Sequence, residues 1–171
     1  MIELDEVWEQ LLAEAAKNTD KIQNQRLNDF LAVKTANDSI RQTAVNGLFE
    51  TMLEIAAHAN RKNANIIIER ENTHRFSIEK FSMTGEFLKF RRGVRCLTLE
   101  AGWTRTPKDG FMRGNALAVA RISHFGMTKS NAELHLLKFE NQPQWFTIDK
   151  NGMKISLELE DLIKHFQIFL E

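Results

Sequence analysis

One cysteine, two prolines and no tyrosine stand in this chain of 171 residues. The single Cys96 excludes an internal disulfide framework and any Cys-x-x-Cys metal site. No apolar run approaches the roughly eighteen residues a membrane helix needs, so no membrane partner is expected. The opening Met-Ile-Glu-Leu-Asp-Glu is acidic and amphipathic, the reverse of the basic-then-apolar start of a signal peptide. Prolines fall only at 107 and 143, so none forces a break in the first hundred residues. Net charge is absent too: 23 Lys and Arg balance 23 Asp and Glu, and only a local patch could attract nucleic acid. What remains is the profile of a cytoplasmic globular protein, 43% apolar and able to build a core. Twelve phenylalanines supply most of its aromatic residues.

The charge that is present is segregated. Residues 84–129 carry nine cations (Lys89, Arg91, Arg92, Arg95, Arg105, Lys108, Arg113, Arg121 and Lys129) against Glu86, Glu100 and Asp109, a net +6. Residues 1–63 and 130–171 each come to −3. The basic segment also holds the one conspicuous loop, residues 100–114, with Gly102, Gly110 and Gly114 around Pro107.

Residues 3–61 read as helix. Leu4, Val7, Trp8, Leu11, Leu12 and Ala15 recur at the three-and-four spacing of one helix face, as do Ile40, Ala44, Leu48, Met52, Ile55 and Ala59. The polar stretch 17–28 predicts a break or an exposed section. Asn37-Asp38-Ser39 is a second candidate break, because such side chains compete for backbone hydrogen bonds.

The period changes near Asn63. Strands are expected at 65–71, 75–81, 84–90, 94–103, 116–125, 133–139, 145–149 and 153–157, with turns at Asn72-Thr73, Arg92-Gly93 and Asn151-Gly152 and a break at Asn141-Gln142-Pro143. Leu159, Leu162, Ile163, Phe166, Phe169 and Leu170 make a closing amphipathic helix. Turns this short cannot join parallel strands. The expected class is α+β: a helical N-terminal arm over residues 1–62, then an antiparallel meander of about seven or eight strands closed by a C-terminal helix over residues 63–171, as one folded unit. That order resembles PH-like or curved barrel-like folds, without carrying any family's motif residues.

The strands 94–103 and 116–125 lack a plainly polar face, so both are expected to be covered on both sides. Arg121 then sits among apolar neighbours and needs an acid, because an unpaired buried charge costs several kcal/mol. Glu100 is the nearest candidate; the alternative is a pocket in which Arg121 binds a carboxylate or phosphate. Ala116, Ala118 and Ala120 form a flat strip on which the long helix could pack, or the floor of a ligand cavity. The loop cations Arg105, Lys108 and Arg113 flank backbone N–H groups that could form an anion nest; its spacing fits neither a P-loop nor a dinucleotide fingerprint. His124 could act with Asp109 as an acid/base pair beside that loop. The histidines lack metal-ligand spacing, and no nucleophile elbow is present. Lys89, Arg91, Arg92 and Arg95 near Phe87, Phe90 and Trp103 could track a single nucleic-acid strand, unless those aromatics are core.

These features point to a binding or adaptor protein with no cofactor, no metal and no catalytic residue. Its basic loop would receive an anionic ligand or an acidic protein surface. A homodimer is expected through Trp8, Leu11, Leu12, Leu27, Phe30, Leu31, Leu48 and Ile55; there the acidic flank of one copy could meet the basic loop of the other. The alternatives are a small enzyme or sensor with a pocket around Arg113, Arg121 and His124, and a weak single-stranded nucleic-acid binder, the latter not favoured.

Overall fold

A computed structural model describes the backbone of residues 9–14 and 21–171 and the side chains of residues 9–14 and 25–171. Residues 9–14 are helical, and Glu9 lies 3.5 Å from Lys34 of the long helix α1, Lys21–Arg61. Val45, Phe49, Met52 and Ala56, spaced four, three and four apart, form the fully buried stripe of α1. The break expected at Asn37-Asp38-Ser39 does not occur. The Asp38 carboxylate is satisfied along the helix by Arg41 Nη1 at 2.6 Å and Lys34 Nζ at 3.1 Å, so it does not compete for backbone groups. Of the polar stretch 17–28, residues 17–20 lie outside the described residues. Residues 21–28 are helical, with Gln25, Arg26 and Asn28 exposed. The helix ends where Asn63 and Asn65 take positive φ. The Asn60 amide bonds both backbone groups of Ile66, at 2.7 and 2.9 Å, and so sets the entry into the sheet.

Seven strands follow in an antiparallel meander whose spatial order is its chain order: β1 Ile67–Ile78, β2 Phe81–Arg92, β3 Arg95–Trp103, β4 Ala118–His124, β5 Ala132–Phe139, β6 Gln142–Ile148 and β7 Lys154–Ser156. Helix α2, Leu159–Leu170, closes the chain. No described helix is long and apolar enough to cross a membrane. The fold is α+β, as the pattern of periods required. The sheet is not closed, so the barrel-like form does not hold: β1 pairs only with β2 and β7 only with β6. A three-residue β7 offers too short a ladder to close against a twelve-residue β1.

The expected turn at Asn72-Thr73 is a bulge. Pairing steps from Glu71↔Phe87 to His74↔Gly85, one extra residue on β1, and the chain reverses instead at Glu79-Lys80. The break at Asn141-Gln142-Pro143 is likewise displaced. The hairpin turn is Glu140-Asn141, both at positive φ, and Pro143 lies inside β6 beyond the end of β7, where β6 is itself an edge. The Asn151-Gly152 turn falls where expected, with Asp149 Oδ1 accepting from the backbone N–H of Asn151 and Met153.

Both helices lie on one face of the sheet. Leu88, Phe90, Leu97, Leu99, Ile122, Leu134 and Leu136 meet the α1 stripe and Leu162, Phe166 and Phe169 of α2 in one core. Ala101, Ala118 and Ala120, all fully buried, form the flat floor on this face. Ala116 does not belong to it and joins a second cluster with Phe76, Met83, Val119, Leu137 and Phe146. Arg41 Nε donates to Leu117 O at 2.7 Å and Trp145 Nε1 to Ala44 O at 3.3 Å, so α1 is bonded to the chain on both sides of that floor. Glu86, only 7% exposed, accepts from Arg70 of β1 and Gln42 of α1 and joins the three elements.

Leu48 is core and Ile55 packs against it, so these two expected dimer contacts are used within one chain. Trp8 lies outside the described residues. Leu11 of the helical segment 9–14 is more than half exposed, and so are Phe30 and Val33 on the first half of α1.

Gly85 and Gly102 stand directly opposite each other on β2 and β3. A Cβ on Gly85 would lie 1.8 Å from Ala101 O, and one on Gly102 2.5 Å from Thr84 O. The backbones themselves are in contact here, and no side-chain rotation can relieve the overlap. Gly85→Ala is therefore expected to lower stability by about 3 kcal/mol or more, read as a fall in the urea midpoint, whereas Gly93→Ala, in an open turn, should cost far less.

Candidate functional site

The face away from the helices carries a row of charge. Strand pairing places Glu100, Arg121 and Glu133 directly side by side on β3, β4 and β5. Arg121 donates to Glu100 Oε1 through both Nε, at 2.8 Å, and Nη2. On the outer side of Glu100, His74 Nε2 lies 2.9 Å from Oε2. At the other end His135 Nε2 lies 3.0 Å from Glu133 Oε1. The result is a row of five side chains, His74–Glu100–Arg121–Glu133–His135, drawn from the four strands β1, β3, β4 and β5. The hydrogen bond from His135, followed by its charge and those of Arg121 and Arg113, holds the Glu133 carboxyl below its ordinary value against the opposing effect of burial.

A freely solvated polar face would leave such side chains open. Here Glu100 is 13% exposed and His135 14%, while Arg121 is 37% exposed. Arg121 is therefore paired with Glu100 as the sequence suggested, yet it is not deeply buried. The reason is that its face is not covered by a helix; the connection between β3 and β4 and the second apolar cluster cover only part of it. A groove of about 620 Å³ runs here, lined by Arg113 and Gly114 of that connection, Glu133, His135 and Leu137 of β5, and Lys154 of β7.

The connection is held by its own contacts. Asp109, 7% exposed, accepts from Thr106 N and Oγ1 and from Arg75 Nη2 at 2.8 Å. Arg113 stands at the groove edge bonded to Glu79. Arg105 lies with its guanidinium carbon 3.8 Å from the centre of the Trp103 ring and donates to Thr84 O. Lys108 is exposed in the 3₁₀ turn Pro107–Asp109. The loop cations thus do not converge on one nest: each takes a separate partner or faces water.

His124 corrects the sequence reading. It projects to the helix face, 2% exposed, with Nε2 2.9 Å from Nδ1 of His165 on α2 and the rings stacked. Asp109 is committed to Arg75 and Thr106, and the acid/base pair does not form. Arg113 and Arg121 share the groove face; His124 lies on the opposite face. The basic hairpin is divided as well. Lys89 and Arg91 stand 3.5 and 3.9 Å from Glu69, Arg92 donates to Leu170 O at the end of α2, and Arg95 contacts Met127 Sδ. Phe90 and Trp103 are buried, as core aromatics would be. Among the described residues no cluster of three or more His, Cys, Asp or Glu is arranged to hold a metal ion.

The sequence reading missed His74, Glu133, His135 and Lys154. The signal was pairing register: Glu100, Arg121 and Glu133 occupy outward positions of three consecutive strands, and turn lengths set which residues become neighbours.

Burial pushes the His124 imidazole down, and it pushes His165 down to about 4, with the neighbouring His124 adding to the effect and Asp161 opposing it. Both rings fold neutral. The unfolded chain takes up protons near the ordinary pKa of 6.5 and the folded chain does not, so stability falls as pH drops from about 6.5 towards 4. His165 contributes about 2–3 kcal/mol of that loss. His165→Gln should flatten urea midpoints measured between pH 7 and 4.5; an unchanged slope would assign the acid sensitivity elsewhere.

Compared with known protein families, with curated proteins and with solved structures, the chain finds no match.

Proposed function

We propose that this chain is a non-enzymatic binding protein that takes a small anionic ligand, a carboxylate or phosphate, into the groove on the open face of its sheet. The observation that supports the reading is the state of Arg121, which stands beside the groove, next to its lining residue Glu133. Glu100 occupies its Nε and Nη2, and Nη1 has no hydrogen-bond partner among the described residues. A guanidinium fixed on one edge and open on the other is prepared for an oxyanion, because little side-chain freedom is lost on binding. Arg113 and Lys154 on the groove lining add positive charge, and Leu137 offers an apolar contact for the rest of a small molecule. This reading keeps the anionic ligand suggested by the basic segment and moves its seat from the loop to the sheet. Its cytoplasmic setting is part of this proposal and is supported by the single cysteine and the lack of an apolar run of membrane length.

A second reading follows from Glu133 and His135. A carboxylate can only accept, so His135 donates through Nε2 and, when neutral, keeps Nδ1 as a proton acceptor. A base oriented by an acid beside an anion anchor is the arrangement general-base catalysis uses. The divided cations leave a nucleic-acid surface less support than either.

The test is a titration with inorganic phosphate and with succinate, followed by NMR of the Arg121 side-chain Nε–H and the His135 ring. Millimolar or tighter saturation of both signals is expected, with at least a tenfold loss in Arg121→Met and little change in His135→Gln. Arg121→Met should also lower stability by about 1–3 kcal/mol, since the recessed Glu100 loses two donors, and Glu100→Gln in the same chain should recover part of it. Unchanged signals with a folded wild type would remove Arg121 as an anchor.

A further inference from the structure

On the other side of the molecule, α1 carries a second stripe that one chain covers only in part: Ile40 and Ala44 pack against the core, while Phe30, Val33 and Gly47 are exposed. Phe30, Val33, Asn37, Ile40, Ala44, Gly47 and Thr51 follow one another at steps of three and four, the spacing of a helix seam. The stripe is graded in size. Phe30 and Val33 stand on the projecting half of the helix, 54% and 59% exposed. Ala44, Gly47 and Thr51 lie beside the sheet and help line a groove of about 860 Å³, whose far wall is Trp145, Leu157 and Leu162. A Cβ built on Gly47 would meet nothing within 4 Å, so space for a large side chain is open there.

We infer that a second copy of this chain occupies that groove, with the two α1 helices antiparallel about a twofold axis passing between Asp38 and Ser39. The sequence is complementary to itself in this register. Phe30 of one copy faces Gly47 of the other, Val33 faces Ala44, and Asn37 faces Ile40. Phe30 and Val33 each meet a small residue, Asn37 meets Ile40 beside the axis, and the relation is reciprocal, as an isologous interface requires. No other antiparallel register pairs both exposed apolar residues with the two smallest residues of the seam. Charge agrees with the arrangement: Arg26 of the projecting half comes within about one helical turn of Glu54, which lines the groove. The inference is independent of the anion site on the opposite face. It replaces the pairing of acidic flank with basic loop, since the second copy meets α1 and the Trp145–Leu162 wall of its groove and not the loop.

The experiment is light scattering of the full chain at 5–200 µM, with three variants. The wild type should show the mass of two chains. Gly47→Phe fills the notch that receives Phe30 and should be a single chain; it places a better helix former at an exposed site, so its circular dichroism should match the wild type. Phe30→Ala should weaken association at least tenfold. Phe30→Ala with Gly47→Phe exchanges large for small on both copies and should restore two chains. A wild type of one-chain mass at 200 µM, or a Gly47→Phe that remains two chains, overturns the inference. A double variant that does not recover overturns the antiparallel register.

Discussion

Helix α1 comes down on a floor of alanines, and most of the structure is organised by that contact. Ala101, Ala118 and Ala120 present no bulk, so Val45, Phe49 and Met52 can reach the larger side chains on either side. Removing apolar area from water contributes roughly 1.5–3 kcal/mol for each large side chain buried. The contact also commits polar groups: Arg41 and Trp145 bond backbone carbonyls across it, and Glu86 is closed off between Gln42 and Arg70.

Commitment of one sheet face to the helices decides the character of the other. Alternation along β3, β4 and β5 sends leucine and alanine inward, so Glu100, Arg121, Glu133 and His135 must face the other way. The connection before β4 shelters this row without sealing it. Partial shelter matters physically: charges in a groove interact more strongly than in open water, yet keep contact with solvent. The two buried histidines show the opposite regime. Buried against each other under α2, His124 and His165 stay neutral and serve packing.

The projecting half of α1 leaves Phe30 and Val33 more than half exposed. The sheet is shorter than the helix, and past Asn37 towards the N-terminus no strand is beneath it to receive Phe30 and Val33.

Much of the architecture was legible as pattern. The change from helical to alternating period near Asn63, the Asn151-Gly152 turn and the amphipathic stripe of α2 are local signals, and local signals survive in a one-dimensional reading. The Glu100–Arg121 pair was legible too, since an arginine on a largely apolar strand demands an acid. What the sequence could not express was register and facing. A bulge at Asn72-Thr73 in place of a turn merged two expected strands into one, because bulge and turn use the same polar residues. The hairpin turn at Glu79-Lys80 carries no glycine and gave no warning, and the one at Glu140-Asn141 was signalled only as a break one residue further on. His124 and His135 look alike as strand histidines. Only the placement of the helices buries the first against His165 and leaves the second beside Glu133, because which face of a strand is covered is decided by elements far away in the chain.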